Sequence, residues 1–556
     1  AIESLLFGQA PSVGKVTNII LHGLNGLLLG MFLFRVISRF DHRNAAILSI
    51  GAAAVWLLTP LQVSTVLYQT QRMAILSALF MLLSCMFYVG FRECFVQQRE
   101  WVSQLILCFL SFLAAMLSKE NAFVLLLVIP SLELLLLQPA GVANKREKAI
   151  KRLAWRGLFA VLAASAVGLF AIAGWLDSAY EERSFSITER LLTQPRVLWD
   201  LVFQFFNPDV SRMGLFHDDF TVSTSLVDPL STLAALLGWV FVIATAGFAA
   251  VKPEGRRVVA GGVIFLFAHS IESSFLPLEL YFEHRNYFPS VGLVLILSCS
   301  LSCVIRWSKE SRAPLLVFAG CYILYLLFAT VSQVRVWSQA SSIIVNDVAF
   351  HPSSPRANMS FAVLLANAGS YPEAIKHLKI AEENDRDLTS TIYRLREASL
   401  ACLANSPMDS GVLNGFDADE GLASDEAEAA ILLIVDRVQV DACPKFQATL
   451  LANRLLEGIN PESFSERQRF RVFMLGASLE NVLERYRQAL YYSTLALALQ
   501  PEHVEALLMN LHFALILGKE RVALDARQKL NALEQRGKLN ARQREVFFMY
   551  RERLDT

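Results

Sequence analysis

The sequence predicts an all-α protein in two parts, a polytopic transmembrane helical domain and an exported helical solenoid. Two observations carry most of this. From about residue 16 to 334, hydrophobic runs about twenty residues long alternate with short polar turns, and about 18 apolar residues suffice to cross a hydrocarbon layer of roughly 30 Å. The 556 residues are 54% hydrophobic and mean hydropathy is +0.43, too apolar for one soluble globule. After residue 340, mixed charges and short amphipathic helices take over. Formal net charge is zero, which points away from nucleic acid.

Ten spans are expected, at roughly 17–38, 45–60, 73–91, 102–118, 121–138, 157–175, 229–250, 258–275, 288–306 and 314–333. Basic residues collect in alternate loops: Arg39 and Arg43; Arg92 and Arg99; Lys145 to Arg156; Lys252, Arg256 and Arg257; Lys309 and Arg312. Those loops are assigned to the cytoplasm. The loops 61–72, 118–121, 176–228 and 276–287, and everything after 334, then face outward. The chain opens on Ala1, without a signal-peptide pattern, and is expected to be a processed or truncated product.

Ionisable residues near hydrocarbon are costly and are functional candidates by default. His22, Gln71, Arg72, Lys119, Glu120, His269, Glu272, Glu283, His284 and Arg285 all fall at the outward ends of the runs. Arg72, Lys119 and Arg285, with His284, have the chemistry to hold a phosphate at headgroup depth. Snorkelling anchors are the plain alternative for each one singly. Glu133 lies toward the opposite end of its span and is given no role.

The outward loop 176–228 is too long for a mere connection. Ile187 to Phe206 is expected as a helix on the membrane surface, with Leu191, Leu192, Val197, Leu198, Leu201, Val202 and Phe205 on its apolar face and Arg190, Arg196 and Asp200 on its polar one. His217-Asp218-Asp219 follows, two carboxylates and an imidazole suited to a general base or to a solvated turn. No His or Cys cluster has zinc-site spacing, and no structural metal is expected. A divalent ion at the acidic pair stays open.

The tail repeats. Within 355–386, Phe361, Ala362 and Leu365 form one stripe, Gly369-Ser370-Tyr371 breaks the helix, and Ala374, Leu378 and Ala381 form a second stripe. Near 470–503, Tyr486, Ala489, Ala496 and Pro501 take tetratricopeptide spacing, and 504–536 places Gly518 and Ala523 alike. Such pairs must stack to bury their faces. The middle, 387–469, matches poorly, and 405–426 reads as a loop. Cys402 and Cys443 fall in this part; a bond between them is left open by sequence. The other six cysteines lie in or beside spans and read as apolar packing residues.

The runs Ile20-Leu21-His22-Gly23-Leu24-Asn25, Gln71-Arg72 through Phe80, Ser118-Lys119-Glu120-Asn121 and Glu283-His284-Arg285-Asn286-Tyr287-Phe288-Pro289 resemble those of polytopic GT-C type glycosyltransferases with exported tetratricopeptide repeats, the transmembrane O-mannosyltransferases and their bacterial relatives. The resemblance covers nearly the whole chain in the same order. It implies transfer of a sugar from a polyprenyl-phosphate donor to a hydroxyl of an exported protein presented by the repeats. In that frame His217, Asp218, Asp219 and Glu283 are the candidate catalytic groups, and Arg72, Lys119, His284 and Arg285 hold the donor phosphate. His22, Gln71, Glu120, His269 and Glu272 complete the pocket. The family's usual acid in the first outward loop is not matched by Glu3, the only early acid, so it is expected either to precede Ala1 or to be replaced by another acid such as Asp218. Rival readings are a polymerase or ligase for lipid-linked glycans, and a non-enzymatic membrane scaffold. A bacterial inner membrane with a periplasmic tail is the expected location, the endoplasmic reticulum the second.

Overall fold

The computed structural model describes residues 11–139, 142–180, 183–307, 312–385, 390–404, 425–440 and 464–555, with single positions 443, 449 and 453. Among them every regular element is helical. The chain divides into two compact units, Ala1–Pro352 and Ser353–Thr556. The division falls later than the expected boundary at 334, so the Ala340–Phe350 helix belongs with the first unit.

In the first unit six helices are long and apolar enough to cross a membrane: Val13–Ile37, Gln69–Val96, Lys145–Leu169, Ser231–Ala249, Ser290–Trp307 and Ala313–Val336. Ala45–Leu58 and Pro60–Leu67 form a further, bent pair with 54° between them. Pro60 lacks the N–H that would continue the ladder, and the helix ends before it. Large apolar side chains such as Phe159, Phe241 and Phe328 are exposed on these helices, a surface suited to lipid.

The run at 102–118 is a helix over the expected residues, Val102–Ser118, and three others differ in detail. The run at 121–138 breaks into a 3-10 turn, a short α-helix containing Pro130 and a π-turn at Leu132–Leu136. The π-turn carries Glu133, fully buried, onto Arg92 Nε at 2.8 Å and Tyr88 Oη at 3.2 Å. The run at 258–275 stops being helical at Ala268, and the helix expected at 157–175 starts a few turns earlier, at Lys145, on a capping box made by Asn144 and Glu147.

The core is one apolar cluster joining most of these helices, with Trp56, Phe265, Val294 and Leu295 at its centre. Helices Pro253–Ala268 and Ser290–Trp307 cross where Gly261 faces Gly292; a Cβ on either would strike the other's carbonyl oxygen. Small residues let helix backbones approach closely where lipid supplies no hydrophobic drive. This crossing fixes both ends of the 269–289 connection.

The helix Ile187–Phe206 forms as expected, opened by a capping box in which Ser186 Oγ accepts from Glu189 N–H. Its facing differs from the expectation. Arg190 is fully buried, while Leu191 and Phe203 are exposed. The guanidinium turns inward because the irregular stretch 272–279 offers main-chain carbonyls that no helix or strand satisfies. Arg190 donates to Glu272 O and Ser274 O at 2.7 Å each, to Glu279 O at 3.3 Å and to Leu278 O.

The second unit consists of helices Pro355–Asn367, Tyr371–Asn384, Ser390–Leu403, Asp425–Gln439, Glu466–Val482, Tyr486–Leu499, Val504–Ile516, Glu520–Gln535 and Ala541–Asp555 among the described residues. Tight turns separate the pairs; Gly369 and Gly518 sit in them at φ of 81° and 65°, where a side chain would be strained. Ala374, Ala381, Ala489, Ala496, Ala523 and Ala526 are buried between helices. Cys402 and Cys443 are disulfide-bonded, Cα atoms 5.0 Å apart. Most of the loop expected at 405–426 lies outside the described residues.

Candidate functional site

The site is organised by one short turn, the 3-10 segment Glu283–Asn286 and Tyr287 after it. Tight winding sends successive side chains in different directions, and each meets a different element. Glu283 Oε1 accepts from Gly214 N–H at 3.1 Å and lies 3.4 Å from His217 Nε2. Arg285 Nε is 3.5 Å from Glu272 Oε2, and its Nη1 donates to Glu279 O. Asn286 Oδ1 accepts from His269 Nε2 at 3.2 Å.

Tyr287 reaches the first helix. Asn25 Nδ2 donates to its oxygen at 3.1 Å, so its hydroxyl hydrogen is free to go to His22 Nδ1 at 2.8 Å. His22 Nε2 is 3.2 Å from Leu57 O, a carbonyl that only accepts, which puts the imidazole proton on Nε2.

Lys119 and Arg285 converge on one carboxylate. Lys119 Nζ is 3.1 Å from Glu272 Oε1, and Asn121 Nδ2 donates to the same oxygen at 3.2 Å. Glu272 is 7% exposed, so both cations meet it where water screens little. His284 stacks on Phe282, ring centres 4.9 Å apart. Burial, and then the charges of Lys119, Arg285 and His217, push its pKa down to about 3. It stands there as a neutral imidazole.

Beside Glu283 is a second acid–imidazole group. His217 packs on the Tyr281 ring at 4.3 Å and edge-on to His351 at 5.3 Å. His351 Nδ1 is 2.9 Å from Asp219 Oδ2. Asp347, fully buried one helical turn before His351, accepts from Leu215 N–H at 3.1 Å. Burial pushes the Asp347 pKa up to about 6, against the opposing pull of that N–H and the neighbouring imidazoles. For His351 burial works against the charged form, but the Asp219 hydrogen bond and the surrounding carboxylates outweigh it and raise its pKa.

The structure therefore brings together His22, Lys119, His217, Asp219, His269, Glu272, Glu283, His284 and Arg285 around one turn. Arg72 is held by the first helix instead, donating to Asn18 Oδ1 at 2.9 Å and to Gly14 O at 3.1 Å. Gln71 is buried in the turn before it. Asp218 and Glu120 are exposed, and Glu3 lies outside the described residues. Asn121, Arg190, Asn286, Tyr287, Asp347 and His351 were not among the expected pocket residues. A lone carboxylate within the apolar helix Ala340–Phe350, with an imidazole one turn on, was the available signal for the last two.

Several buried polar atoms around the turn make no hydrogen bond among the described residues: Glu283 Oε2, Asn286 Nδ2, His269 Nδ1 and Asn121 Oδ1, with Glu272 Oε2 and His217 Nε2 having only the longer ion-pair contacts at 3.5 and 3.4 Å. Buried polar atoms are almost always hydrogen-bonded, and a group of exceptions calls for an explanation. Among the described residues no group of three His, Cys, Asp or Glu side chains is placed to hold a metal ion. Compared with family models, curated proteins and solved structures, the chain matches none.

Proposed function

We propose that this protein is a membrane glycosyltransferase that moves a sugar from a polyprenyl-phosphate donor to a hydroxyl of an exported protein. The observation that supports this best is the group of unsatisfied buried donors and acceptors around the Glu283–Tyr287 turn, with two cations beside it. Lys119 and Arg285 are the groups to neutralise the departing lipid phosphate; developing negative charge is best met by preorganised cations in a site that excludes water. Glu283 is the base to take the acceptor proton, since Oε2 has an open lone pair while Oε1 is held by Gly214 N–H. This moves the role from Asp218, which is exposed, to a carboxylate beside the cations. Asp219, paired with His351, stands next to it.

The proposal includes ten spans, with Val102–Ser118, the broken segment 120–136, the bent pair and Pro253–Ala268 joining the six longer helices. It also reads the second unit as a tetratricopeptide-like solenoid that presents the acceptor outside the cytoplasm, in a bacterial inner membrane. The glycans of exported proteins, compared by mass spectrometry with and without this chain, test the activity. Glu283→Gln and Lys119→Met should each abolish transfer while the purified protein keeps its helical content. Unchanged glycans in both variants would remove the site.

One observation favours the scaffold reading: Lys119, Glu272 and Arg285 already neutralise one another. On that reading the same variants lower stability and leave every glycan in place.

A further inference from the structure

The opposite end of the first unit holds a second charged cavity that the proposed transfer does not use. Helix Val13–Ile37 has 25 residues and spans roughly 37 Å at 1.5 Å per residue. Asn18 and His22 near its start face the candidate site, while Arg35 near its end and Arg39 just beyond meet Glu93 on the neighbouring helix. Helix Arg72–Val96 runs between the same two levels, with Arg92 and Glu93 at the far one.

There a cavity of about 350 Å³ is lined by Arg39, Arg92 and Arg257, by Glu93 and Glu147, and by Phe40 among others. The carboxylates are largely committed. Glu93 takes Arg35 at 2.6 Å and Arg39 at 3.3 Å. Glu147 Oε2 closes the capping box on Asn144 N–H at 2.9 Å, leaving its Oε1 3.6 Å from Arg92 Nη2.

The cations are not fully used. Arg92 is 1% exposed and gives Nε to Glu133 at 2.8 Å, yet its Nη2 makes no hydrogen bond among the described residues. Arg257 Cζ lies over the Phe40 ring, 4.2 Å from its centre, a cation–π contact that uses none of the guanidinium's five N–H donors as a hydrogen bond. Planar guanidinium forks bind the oxygens of a phosphate bidentately, as they do those of a carboxylate, and the carboxylates of this cavity are already engaged. The cavity also adjoins the first turn of the Lys145–Ala171 helix, whose N-terminal dipole adds to the attraction.

The geometry points to a binding site for a phosphate-bearing ligand, held by Arg92 Nη2, Arg39 and Arg257 at the end of the bundle remote from the Glu283 turn. The cavity lies where these helices end, at the depth of lipid headgroups, and its volume is that of a headgroup rather than a whole lipid. A phospholipid headgroup and a free phosphate share this chemistry.

The test is native mass spectrometry and thermal unfolding of the full chain in detergent, titrated with phosphatidylglycerol, with phosphatidylcholine or with inorganic phosphate. Arg257→Gln is the main variant, since it gives up the stack on Phe40 and the attraction of Glu254 but no buried ion pair among the described residues. Arg92→Gln is the second. Wild type should retain phosphatidylglycerol or phosphate and melt higher with it, and Arg257→Gln should weaken that binding about tenfold. Retention of phosphatidylglycerol without an effect of phosphate identifies a lipid site; competition by phosphate identifies a soluble ligand. The inference is overturned if neither ligand binds, or if Arg257→Gln and Arg92→Gln both bind as wild type does. Loss of binding in Arg92→Gln alone, with a lowered melting point in the absence of ligand, also counts against it, because that pattern is only a broken Arg92–Glu133 pair.

Discussion

Replacing Arg190 by Met should destabilise the first unit by about 3 kcal/mol and displace the Glu272 carboxylate. The magnitude follows from two opposing quantities. The guanidinium donates to four main-chain carbonyls, Glu272, Ser274, Leu278 and Glu279. A buried carbonyl left without a donor costs about 1–3 kcal/mol, so four orphaned by the substitution cost about 6 kcal/mol. Against this stands the cost of burying the charge, visible in a pKa that burial brings down from the ordinary arginine value to about 10; such a displacement corresponds to about 3 kcal/mol. Met recovers that cost and fills a similar volume, but leaves four carbonyls without donors. The difference, about 3 kcal/mol, should be visible in thermal unfolding followed by tryptophan fluorescence, since Trp199 lies on the same helix. Arg190→Lys should recover only part, because an ammonium cannot reach carbonyls spread over eight residues. Arg152→Met, exposed on its helix, is the control. An Arg190→Met protein within about 0.5 kcal/mol of wild type, the range of ordinary surface substitutions, would refute the view that this side chain organises the 272–279 stretch.

Neighbouring glycines should respond with opposite signs: Gly261→Ala drives a methyl into Gly292 and Ile296 and should cost roughly 1–3 kcal/mol, whereas Gly262, with nothing within 4 Å of an added Cβ, should gain up to about 1 kcal/mol from alanine; paired melting curves decide it. Reduction of Cys402–Cys443, or Cys402→Ser, should cost the second unit about 4 kcal/mol from the 41-residue separation, read as earlier unfolding under dithiothreitol. Stability of the first unit should fall as pH rises from about 4 to above 7. Asp347 is protonated more readily when folded than when unfolded, so its contribution is complete below the ordinary value of 3.8 and is lost through about 6, a change of about 3 kcal/mol. His351, also raised, loses its contribution above its ordinary 6.5. Asp347→Asn should flatten the lower part of that profile, and an unchanged profile in the variant would show that Asp347 does not titrate there.

What the sequence disclosed follows a physical division. Lys119, His269, Glu272, Glu283 and Arg285 were legible because an ionisable group at the edge of an apolar run needs no partner to be noticed. Their partners were less so. Asp347 meets Leu215 across 132 positions, and Arg190 satisfies only carbonyls, which have no side-chain signature. Arg190 was placed on the wrong face for that reason: periodicity marks which positions are apolar, not where a charge will find acceptors. Span ends failed similarly. Hydropathy ran through 258–275 because Ile271 and Phe275 are apolar, yet the backbone leaves the helix after Ala268 and turns Glu272 toward Lys119. Glu133, left without a role, turned out to be the buried partner of Arg92.

The two ends of the first unit treat charge differently, and this bears on which end does chemistry. At the far end, Arg35, Arg39 and Glu93 form a network 27–34% exposed in its side chains, where an ion pair contributes little. Arg92 and Glu133 there are buried and hydrogen-bonded to each other, which leaves Arg92 Nη2 as a buried donor without a hydrogen bond among the described residues. Around the Glu283 turn, by contrast, acids, imidazoles and amides are buried together with one face of each left unsatisfied. Such an arrangement is destabilising by itself, since an unmade buried hydrogen bond costs about 1–3 kcal/mol. It is held by the Gly261–Gly292 crossing, the Arg190 carbonyl clamp and the Tyr287–His22–Asn25 chain. A fold that merely anchored a soluble domain would gain by filling this region with leucine. On the proposed transferase reading, that outlay in stability is the cost of keeping polar atoms dry and aimed for a substrate with matching donors and acceptors.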